Sequence, residues 1–138
     1  DLFHDLIISD YTFDKDRIFA RQTLSGDEQQ LYESLFRLME PTVPTPDLVL
    51  YLQSSPERLM ANIAERDRPY ERDMDPDYIA NLHAAYDQYF RQYDRTPLLV
   101  VNAAEIDFVD NPDEFRTLVR QIEIPRASQT RRVHLRST

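Results

Sequence analysis

Short, nearly continuous apolar runs alternate along this chain with longer stretches in which apolar residues recur every three or four positions. Continuous runs are typical of strands buried on both faces of a parallel sheet, whereas the longer period is typical of helices. We therefore expect strands at residues 6–9, 47–52 and 97–102. Helices separate these strands, and this order predicts an α/β fold in which helices cover a parallel sheet.

Polar residues followed by proline mark the predicted starts of two helices. Ser55 and Asp75 each precede a proline, which is typical of an N-cap followed by the first helical residue. Gly26 separates the first two helices, because glycine commonly follows a helix end. The predicted helices cover about residues 16–23, 27–40, 55–66, 75–93 and 112–122.

Composition excludes several classes of protein. The 138 residues suffice for one domain, and no run approaches the roughly 18 apolar residues of a membrane span. The first residues have neither the basic nor the apolar region of a signal peptide. Because cysteine is absent, disulfides and cysteine nucleophiles are excluded, and we expect a cytoplasmic protein. A formal net charge of −9 argues against general nucleic-acid binding, so we expect neither nucleic acid nor membrane as a partner.

Three arginines fall within seven residues of this acidic chain, at Arg66, Arg68 and Arg72. Guanidinium groups are always charged, and their planar shape matches the oxygens of a phosphate group. Clustered at the end of a helix, they can place positive charge over the transition state of a phosphoryl transfer. The alternative is a solvated helix end without a ligand, since such ends are often rich in arginine and glutamate.

Four segments, in this order and spacing, carry a resemblance to a known family. They are Ile8–Ala20, Thr45–Leu52, Glu65–Glu71 and Ala104–Val109. Together they resemble the bacterial branch of the deoxynucleoside kinases, of the deoxyadenosine and deoxyguanosine kinase type. The resemblance covers roughly residues 3 to 122, and it implies a P-loop kinase-like fold. It also implies transfer of the γ-phosphate of ATP to the 5′-hydroxyl of a deoxynucleoside, with Mg²⁺ on the phosphates.

The resemblance assigns roles to individual residues. Arg66 and Arg68 match the lid arginines that contact the transferred phosphate. Glu71 corresponds best to the acidic lid residue that reaches the 3′-hydroxyl of the deoxyribose. Phe19 matches the aromatic residue that stacks on the nucleobase, although without the family it could equally be an ordinary core residue.

Further positions follow the pattern only in part. Asp107 and Phe108 match the loop that wraps the adenine of ATP, although Asp107 could instead cap a turn. Many relatives have Glu-Arg-Ser after the first strand, where this chain has Ser9, Asp10 and Tyr11. The role of Asp10 is therefore open between the water shell of Mg²⁺, contact with the base and the structure of the strand end.

The phosphate-binding loop of such kinases cannot be formed by these residues. The motif GxxxxGK[ST] needs two glycines, whereas Gly26 is the only glycine and Lys15 the only lysine. We therefore interpret residues 1–124 as the C-terminal part of a deoxynucleoside kinase-like domain, with the lid at residues 62–75. Residues 125–138 are expected to form a loose, polar, basic tail, and the chain alone is expected to be inactive.

Two other functions and one assembly state are considered. A nucleoside monophosphate kinase shares the order of strands, helices and lid, but it must hold an acceptor phosphate, for which Arg17 and Arg21 are the candidates. The chain could also be a non-catalytic interaction module. The apolar helices at residues 16–40 and 75–93 are expected to pair in a homodimer, as the resemblance implies. The three histidines have no metal-ligand spacing.

Overall fold

A computed structural model describes residues 6–71, 73–104 and 111–124, together with the backbone of residues 131–133. The chain divides into two compact units, Asp1–Pro44 and Thr45–Thr138. In the described part of the chain, no helix is both long enough and apolar enough to cross a membrane.

The described residues of the first unit form α1 at Phe13–Thr23, α2 at Gly26–Met39 and a 3₁₀ turn at Glu40–Thr42. The helices pack through an aromatic contact, in which the rings of Phe13 and Phe36 stack with centroids 4.5 Å apart. Ile18, Ala20 and Phe36 are buried.

Gly26 lies where the chain turns from α1 into α2, as the sequence predicts. Its φ of 54° is in the left-handed region, which only glycine adopts without a steric cost.

The strand predicted at residues 6–9 is wrong. Leu6, Ile7 and Ile8 lie in irregular backbone and are 75%, 67% and 87% exposed. Ser9 instead forms a local turn, because its Oγ donates to the carbonyl of Tyr11 at 2.9 Å and accepts from the same residue's N–H at 3.2 Å. An apolar run forms a strand only when a neighbouring strand pairs with its backbone, and none of the described strands does so here.

The second unit is built on a parallel sheet whose described strands run in the order β1, β2, β3. β1 at Val49–Gln53 and β2 at Leu98–Asn102 confirm the strands predicted at residues 47–52 and 97–102. Their register pairs Val49 with Leu98 and Gln53 with Asn102.

The third strand lies in the tail that the sequence predicts to be loose. Residues 131–133 form β3, which pairs in parallel with β2 from Leu99 to Val101. Pairing involves the backbone alone, so the polar, basic composition of the tail did not predict it. The free edge of β2 provides the hydrogen-bonding groups that this pairing needs.

In the described part of the chain, helices accompany this sheet as α3 at Pro56–Arg66, α4 at Pro76–Arg91 and α5 at Pro112–Glu123. Each begins with proline after a residue whose side chain accepts a hydrogen bond from the first turn. Ser55 Oγ accepts from Arg58 N at 3.2 Å, and Asp75 Oδ1 accepts from Asp77 N at 2.9 Å. Asn111 Oδ1 caps α5 in the same way. The predicted N-caps of α3 and α4 are thus confirmed.

The core of the second unit lies on both faces of β2. Alternate residues of a strand point to opposite faces, so Leu98 and Val100 face one layer while Leu99 and Val101 face the other. The first layer contains Tyr89, Phe90 and Tyr93 from α4 and its C-terminal end, and the second contains Leu118 from α5. Helices therefore cover both faces, as predicted.

We expect Leu99→Ala to lower the free energy of unfolding by about 2–5 kcal/mol, because Leu99 has no exposed surface and its removal leaves a cavity. Leu52→Ala, in the neighbouring strand, is the control, since Leu52 is 48% exposed. Urea unfolding of both variants measures the difference. Equal losses of stability would contradict the core described here.

Candidate functional site

The arginine segment lies between α3 and α4 and consists of successive turns. α3 ends when Asp67 adopts a left-handed conformation with φ of 44°, and its N–H donates to the carbonyl of Ala64 at 3.3 Å. Aspartate tolerates this conformation better than most residues do. Two further turns follow, because Glu71 N donates to Arg68 O at 2.9 Å and Met74 N donates to Glu71 O at 3.2 Å. The segment is thus held mainly by its own backbone.

The turns bring Arg66 and Glu71 together. Arg66 Nη2 donates to Glu71 Oε1 at 3.4 Å and lies 3.3 Å from Oε2. The side chain of Glu71 is 11% exposed, whereas that of Arg66 is 50% exposed. Among the described residues, Glu71 Oε2 accepts no hydrogen bond of good geometry. One face of the guanidinium group therefore meets a carboxylate, and much of the rest faces solvent.

Arg68 lies beside this pair, on the surface. Its Nη1 donates to the hydroxyl of Tyr70 at 2.8 Å, and Tyr70 is 74% exposed. This hydrogen bond, together with the charges of Tyr70 and Glu71, raises the pKa of Arg68 above its ordinary value, so the group stays charged. Arg72 lies outside the described residues.

The other predicted site residues are distributed along the chain. Phe19 lies half-buried in α1, and its carbonyl accepts a hydrogen bond from Thr23 Oγ1 at 3.0 Å. Asp10 is exposed in the bend before α1. Both belong to the first unit, whereas Arg66 lies in the second. Asp107 and Phe108 lie outside the described residues.

Arg17 and Arg21, the candidates for an acceptor phosphate, both bind Glu33. Arg17 Nη2 donates to Glu33 Oε2 at 2.8 Å, and Arg21 Nε donates to Oε1 at 2.9 Å. The guanidinium of Arg17 also lies 4.8 Å from the ring centre of Phe36. The hydrogen bond from Arg17 is the main cause that lowers the pKa of Glu33 below its ordinary value. The two arginines thus join α1 to α2.

A second polar cluster, which sequence reasoning missed, lies at the carboxyl end of β1. We call it the Asp87 network, and it consists of Tyr51, Gln53, Ser54, His83 and Asp87. Asp87 Oδ1 accepts from the hydroxyl of Tyr51 at 2.7 Å and from the amide of Gln53 at 3.0 Å. His83 Nε2 lies 2.7 Å from the carbonyl oxygen of Ser54 and 3.9 Å from Asp87 Oδ2.

The protonation of this network follows from its partners. A carbonyl oxygen only accepts, so Nε2 of His83 carries the hydrogen that Ser54 receives. Burial and the hydrogen bond to Asp87 raise the pKa of Tyr51 well above its ordinary value, so its hydroxyl stays a donor. The available signals were the i, i+4 spacing of His83 and Asp87 and the i, i+2 spacing of Tyr51 and Gln53.

The described residues contain no group of three or more histidine, aspartate or glutamate side chains that could hold a metal ion. We therefore assign no metal ligand within this part of the chain.

Comparison with known proteins decides the family. A family model for deoxynucleoside kinases matches residues 4–125, which is most of the chain. The chain belongs to the deoxynucleoside kinase family. The predicted fold class, an α/β P-loop kinase-like fold with helices covering a parallel sheet, is thereby confirmed.

Several curated proteins of the family are similar to this chain. A deoxyguanosine kinase of Bacillus subtilis (strain 168) is 27% identical over 121 residues, which are 85% of this chain and 58% of that protein. A deoxyadenosine kinase of Dictyostelium discoideum is 29% identical over 119 residues, covering 82% and 47%. A deoxyadenosine/deoxycytidine kinase of Bacillus subtilis (strain 168) is 27% identical over 112 residues, covering 76% and 52%.

The chain spans about half the length of these curated relatives. No solved structure matches it significantly.

We expect Glu33→Gln to destabilise the protein at pH 7, with the difference from wild type shrinking in acid. Because the pKa of Glu33 is lowered in the folded state, its stabilisation is complete above the unfolded value of about 4.3 and is lost as pH falls through the folded value. Urea unfolding of the variant and of wild type, at pH 7 and in acid, measures the difference in the free energy of unfolding. Glu28→Gln is the matched control, since Glu28 is exposed on the same helix. A difference independent of pH would contradict the ion-pair origin.

Proposed function

We propose that this chain forms the lid-bearing part of an enzyme that transfers the γ-phosphate of ATP to the 5′-hydroxyl of a deoxynucleoside. The observation that carries the proposal is the arginine segment in a member of this family. It presents the charged groups of Arg66 and Arg68 to solvent, and it holds Glu71 beside them. Exposed guanidinium groups on successive turns suit a phosphate that arrives and leaves at each reaction cycle.

The lid residues divide the work between the phosphate and the sugar. Arg66 and Arg68 would bind the oxygens of the phosphate in transfer, where negative charge must be stabilised. Glu71 would accept a hydrogen bond from the 3′-hydroxyl of the deoxyribose once its side chain turns toward the sugar, since its buried Oε2 accepts no hydrogen bond of good geometry among the described residues. The lid would thus contact both the phosphate in transfer and the deoxyribose of the acceptor.

The remaining assignments follow the family pattern. Phe19 would stack on the nucleobase, and Asp107 and Phe108 would wrap the adenine of ATP. Asp10 would lie on the substrate side, near the base or the water shell of Mg²⁺. ATP supplies the phosphoryl group, and Mg²⁺ neutralises phosphate charge. The phosphate-binding loop is not formed by these residues, because the sequence contains one glycine. We therefore propose that residues 1–138 alone are inactive.

A purine deoxynucleoside is the proposed acceptor. Similar proteins are named for deoxyguanosine and for deoxyadenosine, and one is named for both deoxyadenosine and deoxycytidine. An enzyme of this kind would serve nucleoside salvage in the cytoplasm, without nucleic acid or membrane as a partner.

The monophosphate kinase is the weaker alternative. It needs cations for a second, acceptor phosphate, and Arg17 and Arg21 already bind Glu33. An interaction module would not account for the match to a kinase family along most of the chain.

In the full-length protein, we expect Arg66→Ala and Arg68→Ala each to lower kcat by about 10²-fold. A charge-assisted contact made in the transition state contributes roughly 3 kcal/mol, and 1.36 kcal/mol corresponds to about tenfold in rate. The KM for the deoxynucleoside should change much less, because these groups address the phosphate. Glu71→Gln should instead raise that KM. Steady-state kinetics with deoxyguanosine and deoxyadenosine measure both parameters.

Arg58→Ala is the control for these variants, since Arg58 is exposed on α3 about one helix turn before the lid. It should leave both parameters unchanged, and residues 1–138 alone should transfer no phosphate. Normal kcat in both lid variants would remove the central support of the proposal.

We further propose that the protein is a homodimer that pairs through α2. The helix exposes an apolar face, with Leu31, Leu35 and Leu38 at 63%, 50% and 74% exposure. On α4, by contrast, Tyr89 and Phe90 are used in packing against the sheet. Of the helices expected to pair at residues 16–40 and 75–93, we therefore propose α2 for the dimer contact.

We expect Leu38→Glu to convert the dimer to a monomer, because it places a charge in an apolar contact. Sedimentation of the full-length protein at tens of micromolar measures the mass. Gln30→Glu, a charge on another exposed position of α2, should leave the dimer intact. A wild-type monomer at this concentration would refute the assembly.

A further inference from the structure

The Asp87 network has no part in the function proposed above, yet its side chains are held closely. The side chains of His83 and Asp87 are 19% and 15% exposed, and Tyr51 and Gln53 are also half-buried. One carboxylate oxygen accepts two hydrogen bonds, and the histidine donates a third to a backbone carbonyl. A polar cluster in this environment is costly unless its members remain paired.

The network lies at one end of the helix pair that carries the lid. α3 starts directly after Ser54 and Ser55 and runs for 11 residues to Arg66. α4 starts at Pro76, packs against α3, and reaches Asp87 one residue later in its course than α3 reaches Arg66. At 1.5 Å per residue, the two paths are about 16 and about 18 Å long. His83 contacts Ser54, so the base of the pair lies here, and the lid lies at the opposite end.

We infer that Asp87 and His83 are positioning residues that fix the base of the α3–α4 pair on β1, and thereby set the place of the lid arginines. For its effect on catalysis, this inference rests on the proposed function.

The network is joined to the lid through α3, and the linker between β1 and α3 is short. β1 ends at Gln53 and α3 starts at Pro56, so two residues connect the strand to the helix. Gln53 is held by Asp87, and Ser54 is held by His83. Both partners lie on α4, which leads back to the lid from the other side. Loss of these bonds would let α3 and α4 shift on the strand end, and the shift would be carried to the lid.

The raised pKa of Tyr51 supports this arrangement, because it keeps the hydroxyl a donor to Asp87. The stacked rings of Tyr51 and Phe90, with centroids 4.3 Å apart, place the carboxylate of Asp87 within reach of that hydroxyl.

The first experiment measures kinetics of the full-length protein. Asp87→Ala should lower kcat about tenfold with little change in the deoxynucleoside KM, because a displacement near 1 Å can cost about 10²-fold and we expect the lid to shift by less than that. Asp87→Asn retains an oxygen acceptor for Tyr51 and Gln53, and should retain most activity. Gln88→Ala, exposed on the same helix, should behave as wild type. If Asp87→Ala does not fold, His83→Leu takes its place, because this substitution removes the hydrogen bond to Ser54. His83→Gln, which retains a donor, is then the control.

A double-mutant cycle distinguishes positioning from general stability. If Asp87 acts through the lid, Asp87→Ala should lower kcat much less in the Arg66→Ala background than in wild type. Multiplicative effects of the two substitutions would overturn the inference.

A second readout needs no activity. Hydrogen exchange of the peptide spanning residues 62–79 should be faster in Asp87→Ala, by about tenfold, while exchange of the β2 strand stays unchanged. If exchange changes as expected but the protein phosphorylates no deoxynucleoside, the proposed function fails and the positioning role stands. An active kinase in which Asp87→Ala changes neither lid exchange nor kcat would refute the positioning role alone.

Discussion

β2 is a strand that must be covered on both faces, since Leu98, Leu99 and Val101 have no exposed surface. A buried strand cannot leave backbone N–H and C=O groups unpaired, so β1 and β3 must lie on its two edges. The parallel register then places Gln53 beside Asn102 at the same end of the sheet. Ligands of such sheets bind beyond the carboxyl ends of their strands. The Asp87 network lies at this end, because Gln53, the last residue of β1, is one of its members.

The same burial determines how α4 crosses the sheet. Tyr86, Phe90 and Tyr93 recur at helical spacing and pack on the face of β1 and β2 that carries Tyr51. An aromatic layer of this kind tolerates little rotation of the helix, because stacked rings lose contact when they slide apart. Asp87 lies on α4 between Tyr86 and Phe90, and it accepts hydrogen bonds from Tyr51 and Gln53 of β1. Apolar packing therefore orients the helix, and the hydrogen bonds fix its register along the strand.

Local features of the fold were predictable from sequence, whereas contacts between distant residues were not. The strands at residues 47–52 and 97–102 follow from composition, since continuous apolar runs of that length suit a buried strand. The strand predicted for the apolar run at residues 6–9 is wrong, because strand formation requires a neighbouring strand, which composition does not specify. Tyr51 and Asp87 are 36 residues apart, and no local sequence pattern at either position predicts their hydrogen bond. The resemblance singled out Arg66 and Glu71, but their contact depends on the turn geometry between them.

The Arg66–Glu71 pair bears on how the proposed lid could work. The contact of half-exposed Arg66 with the largely buried Glu71 is long, at 3.3–3.4 Å, and water competes for the guanidinium group, so the pair is worth about 0–1 kcal/mol. A guanidinium contact with a phosphate in transfer contributes roughly 3 kcal/mol in a site shielded from water. The phosphate would therefore displace the carboxylate from Arg66 at small cost, and Glu71 would then be released toward the sugar hydroxyl. The pair also offsets the charge of Arg66, so that this guanidinium group attracts other anions less strongly. The Arg66–Glu71 contact would thus position both side chains, and it would break when a substrate binds Arg66 through its phosphate and Glu71 through its sugar hydroxyl.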